Sequence, residues 1–322
     1  MKGSNIVPKS HVTKGKKVVG VDPDSYQPIM TSASKEVQQG IKEHLANIKL
    51  LETDEIDWPL IIKNMKETYE LQREQIVLGT VKMTKQADDP DDDLHEQKLL
   101  TKLKEEWPFL FEMQCLEVHH RTLTKRDLAQ KMKTFIDELM DISLAFMTTS
   151  TKCNVDNFII RMKLELKYDA IPTDLKLISF IHMVANHFGE SFDQLYLPAE
   201  RTCQPAELPH TILEEKKDPC VVALDSNIYA AQKYFVCADQ VPLVEVSNPK
   251  DAFIALVEVC FVFDLEYPPM LPLTMEFFER YVFDMGVLDT KCKKKGRQLI
   301  VISEAVKKLI ASLEEFGEIR TE

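Results

Sequence analysis

Apolar residues recur every three or four positions over most of the chain, a spacing that predicts a mainly α-helical fold. The first predicted helix starts near residue 34, and its apolar face consists of Val37, Ile41, Leu45 and Ile48. A second helix is predicted to start near Pro59, and its pattern is lost after Gly79. A later helix should end before Trp107, because the following Pro108 disfavours helical backbone at the residue that precedes it.

The clearest helical pattern follows Thr124. Thr124 and Asp127 have the spacing of a capping box, in which two side chains bind the first backbone amides of a helix. An apolar stripe then runs from Leu128 to Phe146. The sequence therefore predicts one continuous helix from Thr124 to at least Phe146.

Three further helices have end signals that can be read from single residues. A helix from Thr173 should end at Gly189, because glycine readily adopts the left-handed conformation after a last turn. Asn248 and Pro249 provide an N-cap and a first-turn proline for a strongly apolar helix. Ser303 is the predicted N-cap of a last amphipathic helix.

The pattern changes after residue 219, where short runs rich in β-branched and aromatic residues appear. These runs are Cys220–Leu224, Tyr234–Cys237 and Val241–Val246. They predict a small antiparallel β element of two or three strands around residues 220–246. Such an element is marginally stable alone, so it must pack against helices.

These patterns divide the chain into six regions. They are a disordered arm at 1–33, a helical segment at 34–80, an acidic linker at 81–93, a helical domain at 94–197, a Pro-rich connection at 198–218, and an α+β C-terminal domain at 219–322. The helical domains are expected to be of bundle type.

Composition and charge narrow the class of protein. The chain has 322 residues, of which 44% are hydrophobic and 29% are charged, as in folded globular proteins. A net charge of −12 opposes nucleic-acid binding over the whole surface, because that binding depends on many Lys and Arg contacts to phosphate. Two regions are basic in spite of this net charge: the N-terminal arm, through its lysines, and one compact cluster. They are either solvated segments or contacts for nucleic acid or nuclear import. The cluster is Lys291, Lys293, Lys294, Lys295 and Arg297.

The seven cysteines are scattered and odd in number, so they are interpreted as reduced thiols of a cytoplasmic or nuclear protein. We expect no membrane association, because the most apolar stretch, from Phe253 to Leu265, is far shorter than the ~20 residues that span a bilayer. Glu258 and Asp264 interrupt this stretch. A salt bridge or a helix cap is the expected explanation for each of them.

No motif for phosphate binding, metal-dependent hydrolysis or serine hydrolysis is present. Cys115, His119 and His120 have a spacing that could share a zinc ion, but a structural zinc needs four ligands. Cys237 and Cys260 lie in apolar runs, where a thiol packs as a small hydrophobic group. We therefore expect no metal, no cofactor and no enzymatic activity.

An aromatic cluster at residues 107–111 leaves two interpretations open. Trp107, Phe109 and Phe111 lie between two predicted helices. They form either a plug of the hydrophobic core or an exposed patch that docks a partner.

Three segments resemble a known vertebrate family. They are Met65–Tyr69 with Trp107–Phe111, the amphipathic stretch Leu123–Phe146, and the C-terminal pattern from Pro219 to Pro268. Together they resemble the fish-expanded family of sterile alpha motif domain-containing protein 3. The resemblance implies an interaction protein with no catalytic residues to carry over. We do not expect the helical interaction module that names the family within residues 1–60, because this segment is too short and too polar to form it.

These observations favour a non-enzymatic protein-interaction or scaffold protein of unknown process, with edge strands around residues 220–246 that could accept a partner strand. The alternative is a nucleic-acid-associated or mobile-element-derived protein that uses the N-terminal lysines and the 291–297 cluster. The weakest hypothesis is an enzyme whose site contains no familiar motif.

Overall fold

The computed structural model describes residues 33–50, 56–85, 92–149, 172–286 and 301–321, together with 291, 293–294 and 297–298. The predicted arm, apart from residue 33, and residues 86–91 of the predicted linker lie outside the described residues. The mainly helical character is confirmed. The helices are α1 (Lys35–Leu50), α2 (Trp58–Glu67), α3 (Tyr69–Lys85), α4 (Asp92–Glu106), α5 (Met113–Thr124), α6 (Leu128–Glu138), α7 (Met140–Thr149), α8 (Thr173–Phe188), α9 (Pro249–Val262), α10 (Pro272–Phe277) and α11 (Glu304–Thr321).

The first helices begin as the sequence predicts, but Gly79 does not end a helix. Asp57 caps α2 by accepting a hydrogen bond from the backbone N–H of Leu60 at 3.1 Å. The expected end after Gly79 is wrong, because α3 continues to Lys85. A Cβ atom at position 79 would lie 2.6 Å from Cδ1 of Leu99, so the glycine allows α4 to pack closely against α3.

The long helix predicted from Thr124 is also wrong. Thr124 is the last residue of α5, and Asp127 alone caps α6 by accepting from the N–H of Gln130 at 2.9 Å. A break at Leu139 then separates α6 from α7. The apolar stripe is therefore shared by two helices.

The end signals of α8 and α9 are confirmed. Gly189 is in the left-handed conformation, with φ of 71°, and its N–H donates to the carbonyl groups of α8. Asn248 accepts from the N–H of Asp251 at 2.8 Å and Pro249 occupies the first turn of α9. α11 begins directly after Ser303, at the predicted position.

The β element is a four-stranded mixed sheet, larger than the two or three strands predicted. Its strands are β1 (Tyr196–Pro198), β2 (Cys220–Ala223), β3 (Tyr234–Ala238) and β4 (Val241–Val246), in the order β1-β2-β3-β4. β2, β3 and β4 are antiparallel, as expected, whereas β1 pairs in parallel with β2. A separate two-stranded hairpin consists of β5 (Lys293–Lys294) and β6 (Arg297–Gln298).

The two faces of the sheet pack against different parts of the chain. Alternate residues such as Val221 and Val236 belong to the main core, which the helices share. The residues between them, such as Val222 and Phe235, form a smaller core with Leu208 of the 199–219 connection. Every residue of β2 and β3 is consequently buried.

The main core contains residues from Leu45 in α1 to Leu313 in α11. Arg73 of α3 adds a polar link across the chain, because its Nη1 donates to the carbonyl oxygen of Val262 at the end of α9. Segments assigned above to separate regions therefore contribute to one core. The division of the chain into domains stays a prediction.

Candidate functional site

The aromatic cluster at residues 107–111 is a plug of the core. Trp107 and Phe109 are each 1% exposed and Phe111 is 4% exposed. Nε1 of Trp107 donates to Oε1 of Gln75 at 2.6 Å, and Phe111 stacks on Phe263 with ring centres 5.0 Å apart. The alternative of an exposed docking patch at these residues is wrong, because their surfaces are already covered.

One residue of the basic cluster, Lys291, is bound to carboxylates of the fold. Lys291 forms a salt bridge with Asp264, and its backbone N–H donates to Oε1 of Glu279 at 3.0 Å. The backbone of Lys293, Lys294 and Arg297 belongs to the β5–β6 hairpin, and Lys295 lies outside the described residues. A nucleic-acid or import role for this cluster stays a prediction, and Lys291 is already held by two carboxylates.

The proposed zinc ligands on α5 are buried side chains with other contacts. His119 Nδ1–H donates to Oε1 of Gln72 at 2.8 Å, and burial lowers the pKa of His120 to about 4. Burial also raises the pKa of the Cys115 thiol to about 12. Within the described residues, no group of three or more His, Cys, Asp and Glu side chains is placed to hold a metal ion.

The buried thiols have pKa values unsuited to nucleophilic attack at neutral pH. Cys237 and Cys260 are fully buried, and burial raises the pKa of each thiol above its ordinary value. A thiol must lose its proton to become a strong nucleophile. Both side chains therefore pack as small hydrophobic groups.

The two carboxylates of the apolar stretch differ from each other. Asp264 has the expected salt-bridge partner in Lys291. The same expectation is wrong for Glu258, which is fully buried and whose two carboxyl oxygens have no hydrogen-bond partner in the described part of the chain. Burial first, and then the nearby carboxylate of Glu117, raise the pKa of Glu258 well above its ordinary value.

One hydrogen bond at the end of β2 and β3 shows which residues of β3 direct their N–H and C=O groups towards β2 and which direct them towards β4. The N–H of Leu224 donates to the carbonyl oxygen of Lys233 at 3.0 Å, so these residues form a hydrogen-bonded pair between β2 and β3. Backbone groups alternate in direction along a strand. Tyr234 and Val236 consequently direct their N–H and C=O groups towards β4.

The same alternation leaves one residue of β4 facing outwards. Val244 and Val246 are opposite Val236 and Tyr234, so their backbone groups face β3. Glu245 lies between them, and its N–H and C=O therefore point away from the sheet. Among the described residues no strand pairs with this side of β4. Glu245 thus presents one free donor and one free acceptor at the sheet edge.

The first part of the same edge is covered. Nζ of Lys104 in α4 donates to the carbonyl oxygen of Pro242, and Pro242 itself has no N–H to offer. Burial lowers the pKa of Lys104, which is consistent with its position between α4 and the sheet. The part of the edge that remains accessible is residues 245–247, which we call the open edge.

A groove of about 350 Å³ lies beside the open edge. It is bordered by the N-terminal ends of α5 and α9. The residues that line it include Met113, Gln232, Lys233, Glu245, Ser247 and Asp251. Lys233 and Glu245 form a salt bridge at 2.7 Å, in which each side chain is half exposed. The groove thus combines free backbone groups with charged and apolar side chains that an extended peptide could contact.

Sequence reasoning found the strands of this site but not the groove. The prediction that strands in 220–246 could accept a partner strand is consistent with the free backbone groups of Glu245 and stays a prediction. Met113 is far from β4 in the chain, whereas Asp251 lies only a few residues after it, and each looks like an ordinary first-turn residue of its helix. No local sequence signal could have placed them together.

Comparison of the chain with protein-family models, with curated proteins and with solved structures finds no match. The resemblance to the sterile alpha motif domain-containing protein 3 family therefore stays a prediction. None of the described helices has both the length and the apolar character needed to cross a membrane.

Proposed function

We propose that this chain is a non-enzymatic, intracellular protein-interaction protein that binds an extended segment of a protein partner along the open edge. The observation that carries the proposal is the outward N–H and C=O of Glu245 beside the groove. Strand addition of this kind obtains affinity from main-chain hydrogen bonds and specificity from the pockets beside the edge.

The surroundings of the open edge support a binding role. β4 is held by β3 on one side and contacts α4, α5 and α9, so the edge has little freedom to rearrange when a segment binds. The bundle-type packing predicted for the helices belongs to this proposal as the support of the sheet. The five cysteines of the described residues are not joined in disulfides, which supports an intracellular location.

A proline at position 245 tests the proposal. Because the N–H of Glu245 faces away from β3, Glu245→Pro removes the donor of the open edge without removing a ladder hydrogen bond, a position at which sheets accept proline. Short peptides selected for binding to the full chain should bind this variant at least about tenfold more weakly. Glu245→Gln keeps the N–H and serves as the matched control, with binding expected to change by less than about threefold.

Two further measurements complete this test. The thermal unfolding of both variants shows whether the sheet is intact. N-methylation of alternate peptide residues should weaken binding at every second position, because only those N–H groups face β4. Equal binding of the selected peptides by the wild type and by Glu245→Pro would contradict the proposal.

A further inference from the structure

We infer that the segment bound at the open edge presents an uncharged, apolar side chain to Met113. This inference rests on the proposed function, because it names the chemical class of segment that the open edge accepts. Three observations carry it: the charged side chains of the groove are already paired, Met113 offers apolar surface there, and the accessible edge is short.

The charged side chains that line the groove each have a partner within the fold. Lys233 forms the salt bridge with Glu245 at 2.7 Å. Asp251 accepts a hydrogen bond from Nδ2 of Asn248 at 2.7 Å, and its other carboxyl oxygen lies 3.5 Å from Nζ of Lys250. A charged side chain of the partner would have to displace one of these contacts and lose its own water as well. Neither sign of charge is therefore favoured in the groove.

Met113 provides apolar surface in the groove. It is the first residue of α5 and is half-buried against the main core, so part of its side chain stays accessible. A methionine side chain is flexible and polarizable, and it adapts to apolar partners of different shapes. The groove volume of about 350 Å³ is at the lower end of the range of ligand pockets, so the groove suits side chains of an extended segment.

The alternation of side chains along a strand determines which residue of the segment reaches Met113. Met113 and Val246 both pack against the main core, so they lie on the same face of the sheet. The side chain of Glu245 lies on the other face, beside Lys233. Residues directly opposite each other in a strand pair direct their side chains to the same face, and successive residues alternate. The residue that pairs with Glu245 therefore faces Lys233, and its neighbours in the segment face the side of Met113.

The accessible edge is too short for main-chain hydrogen bonds alone to provide the affinity. Pro242 is covered by Lys104, and Glu245 offers one outward donor and one outward acceptor. The net effect of each such hydrogen bond is small, because the segment gives up hydrogen bonds to water when it binds. Burial of a leucine-sized side chain increases affinity by about tenfold to 100-fold. Contact with Met113 is therefore the main source of preference among segments.

Substitutions in the selected peptides test the inference on the full chain. The N-methylation pattern identifies the peptide residue that pairs with Glu245, and we expect an apolar residue at a neighbouring position. Replacement of this neighbour by Ala should weaken binding about tenfold, and replacement by Lys or by Glu should weaken it at least as much. Tighter binding with Lys or Glu than with Leu at this position would overturn the inference.

Variants of Met113 test the same contact from the side of the protein. Met113→Gln keeps the length of the side chain but removes its apolar end, so it should bind the Leu peptide about tenfold more weakly and the Ala peptide about equally. Met113→Leu should keep the preference for Leu. Met270→Gln is the matched control, because Met270 is 51% exposed and does not line the groove. Equal weakening of both peptides by Met113→Gln would overturn the inference.

The response to Glu245→Pro separates this inference from the proposed function. Peptides that lose binding to Glu245→Pro but have the same preference in the wild type and in Met113→Gln would overturn the inference alone. Peptides that bind equally to Glu245→Pro and to the wild type would remove the proposed function, and the inference with it.

Discussion

Glu190 and Glu258 differ in the hydrogen-bond partners that the fold provides for their carboxyl groups. Glu190 follows α8 and accepts three hydrogen bonds at the start of α10, from the N–H of Leu273 at 2.8 Å, the N–H of Thr274 at 2.8 Å and the hydroxyl of Thr274 at 2.6 Å. Glu258 lies in the middle of α9 and has no hydrogen-bond partner among the described residues.

The difference in hydrogen bonding shows that the position of a carboxyl group along a helix decides whether it stabilises or destabilises the fold. The start of a helix offers free amide donors and a favourable dipole, which stabilise a negative charge. The middle of a helix offers neither, because its amides are already bound. Burial therefore disfavours the charged form of Glu258, whereas the carboxyl oxygens of Glu190 join the end of α8 to the start of α10 by accepting hydrogen bonds.

The largest effect is expected from Glu190→Ala. The substitution removes three hydrogen bonds to α10, so the free energy of unfolding should fall by about 2–3 kcal/mol. Urea denaturation measures this change. Glu190→Gln keeps an acceptor oxygen and should lose less. A loss below about 0.5 kcal/mol in Glu190→Ala would show that water replaces the carboxylate at no cost.

A smaller effect of opposite sign is expected from Glu258→Met. Methionine has a similar volume and no unpaired polar atoms, so the free energy of unfolding near pH 7 should rise by about 1–2 kcal/mol. Glu258→Gln is the control, because it cannot titrate but keeps a buried polar group without a partner. Decreased stability of Glu258→Met would indicate that Glu258 has a favourable interaction in the fold.

The pH dependence of stability should distinguish the same variants. The pKa of Glu258 in the fold is raised, by burial first and then by the charges of Glu117, Asp127 and Asp251, against the opposing effect of Arg121. The folded state therefore binds a proton that the unfolded state releases above the ordinary value of 4.5. Wild-type stability should decrease as pH rises from 4.5 towards the raised pKa, and Glu258→Met should lack this contribution.

The smallest of the three effects is expected from Asp264→Asn. The change removes the charge that binds Lys291 in a partly buried salt bridge, so the free energy of unfolding should fall by about 1 kcal/mol. Asparagine tolerates the left-handed backbone of this position, where φ is 56°. The loss should shrink in high salt. A loss as large as that of Glu190→Ala would mean that Asp264 also positions the segment around Lys291.

Three strands and several helix ends could be predicted because their signals are local. The β-branched runs that became β2, β3 and β4, and the caps at Asn248 and Gly189, each depend on neighbours within a few residues. β1 was missed because its three residues pair in parallel with β2, which follows more than twenty positions later. The role of Gly79 was misread because Leu99, whose side chain packs closely against the glycine, lies on another helix.

The candidate site depends even more on contacts between residues that are distant in the sequence. Alternation in the sequence predicts which residues of β4 face the core, but the direction of the Glu245 backbone depends on the register between β3 and β4. The coverage of Pro242 by Lys104 depends on how α4 packs against the sheet. Neither follows from a local pattern, so the open edge could be located only in the folded structure.

The hydrogen bond from Arg73 to the carbonyl group of Val262 has a consequence for synthesis on the ribosome. The two residues are 189 positions apart. At a translation rate of about 5–20 residues per second, α3 waits roughly 10–40 seconds before its partner is made. During that interval α3 can pack against α1, α2 and α4, but its contact with the end of α9 is missing, so this part of the fold is completed only after α9 has been synthesised.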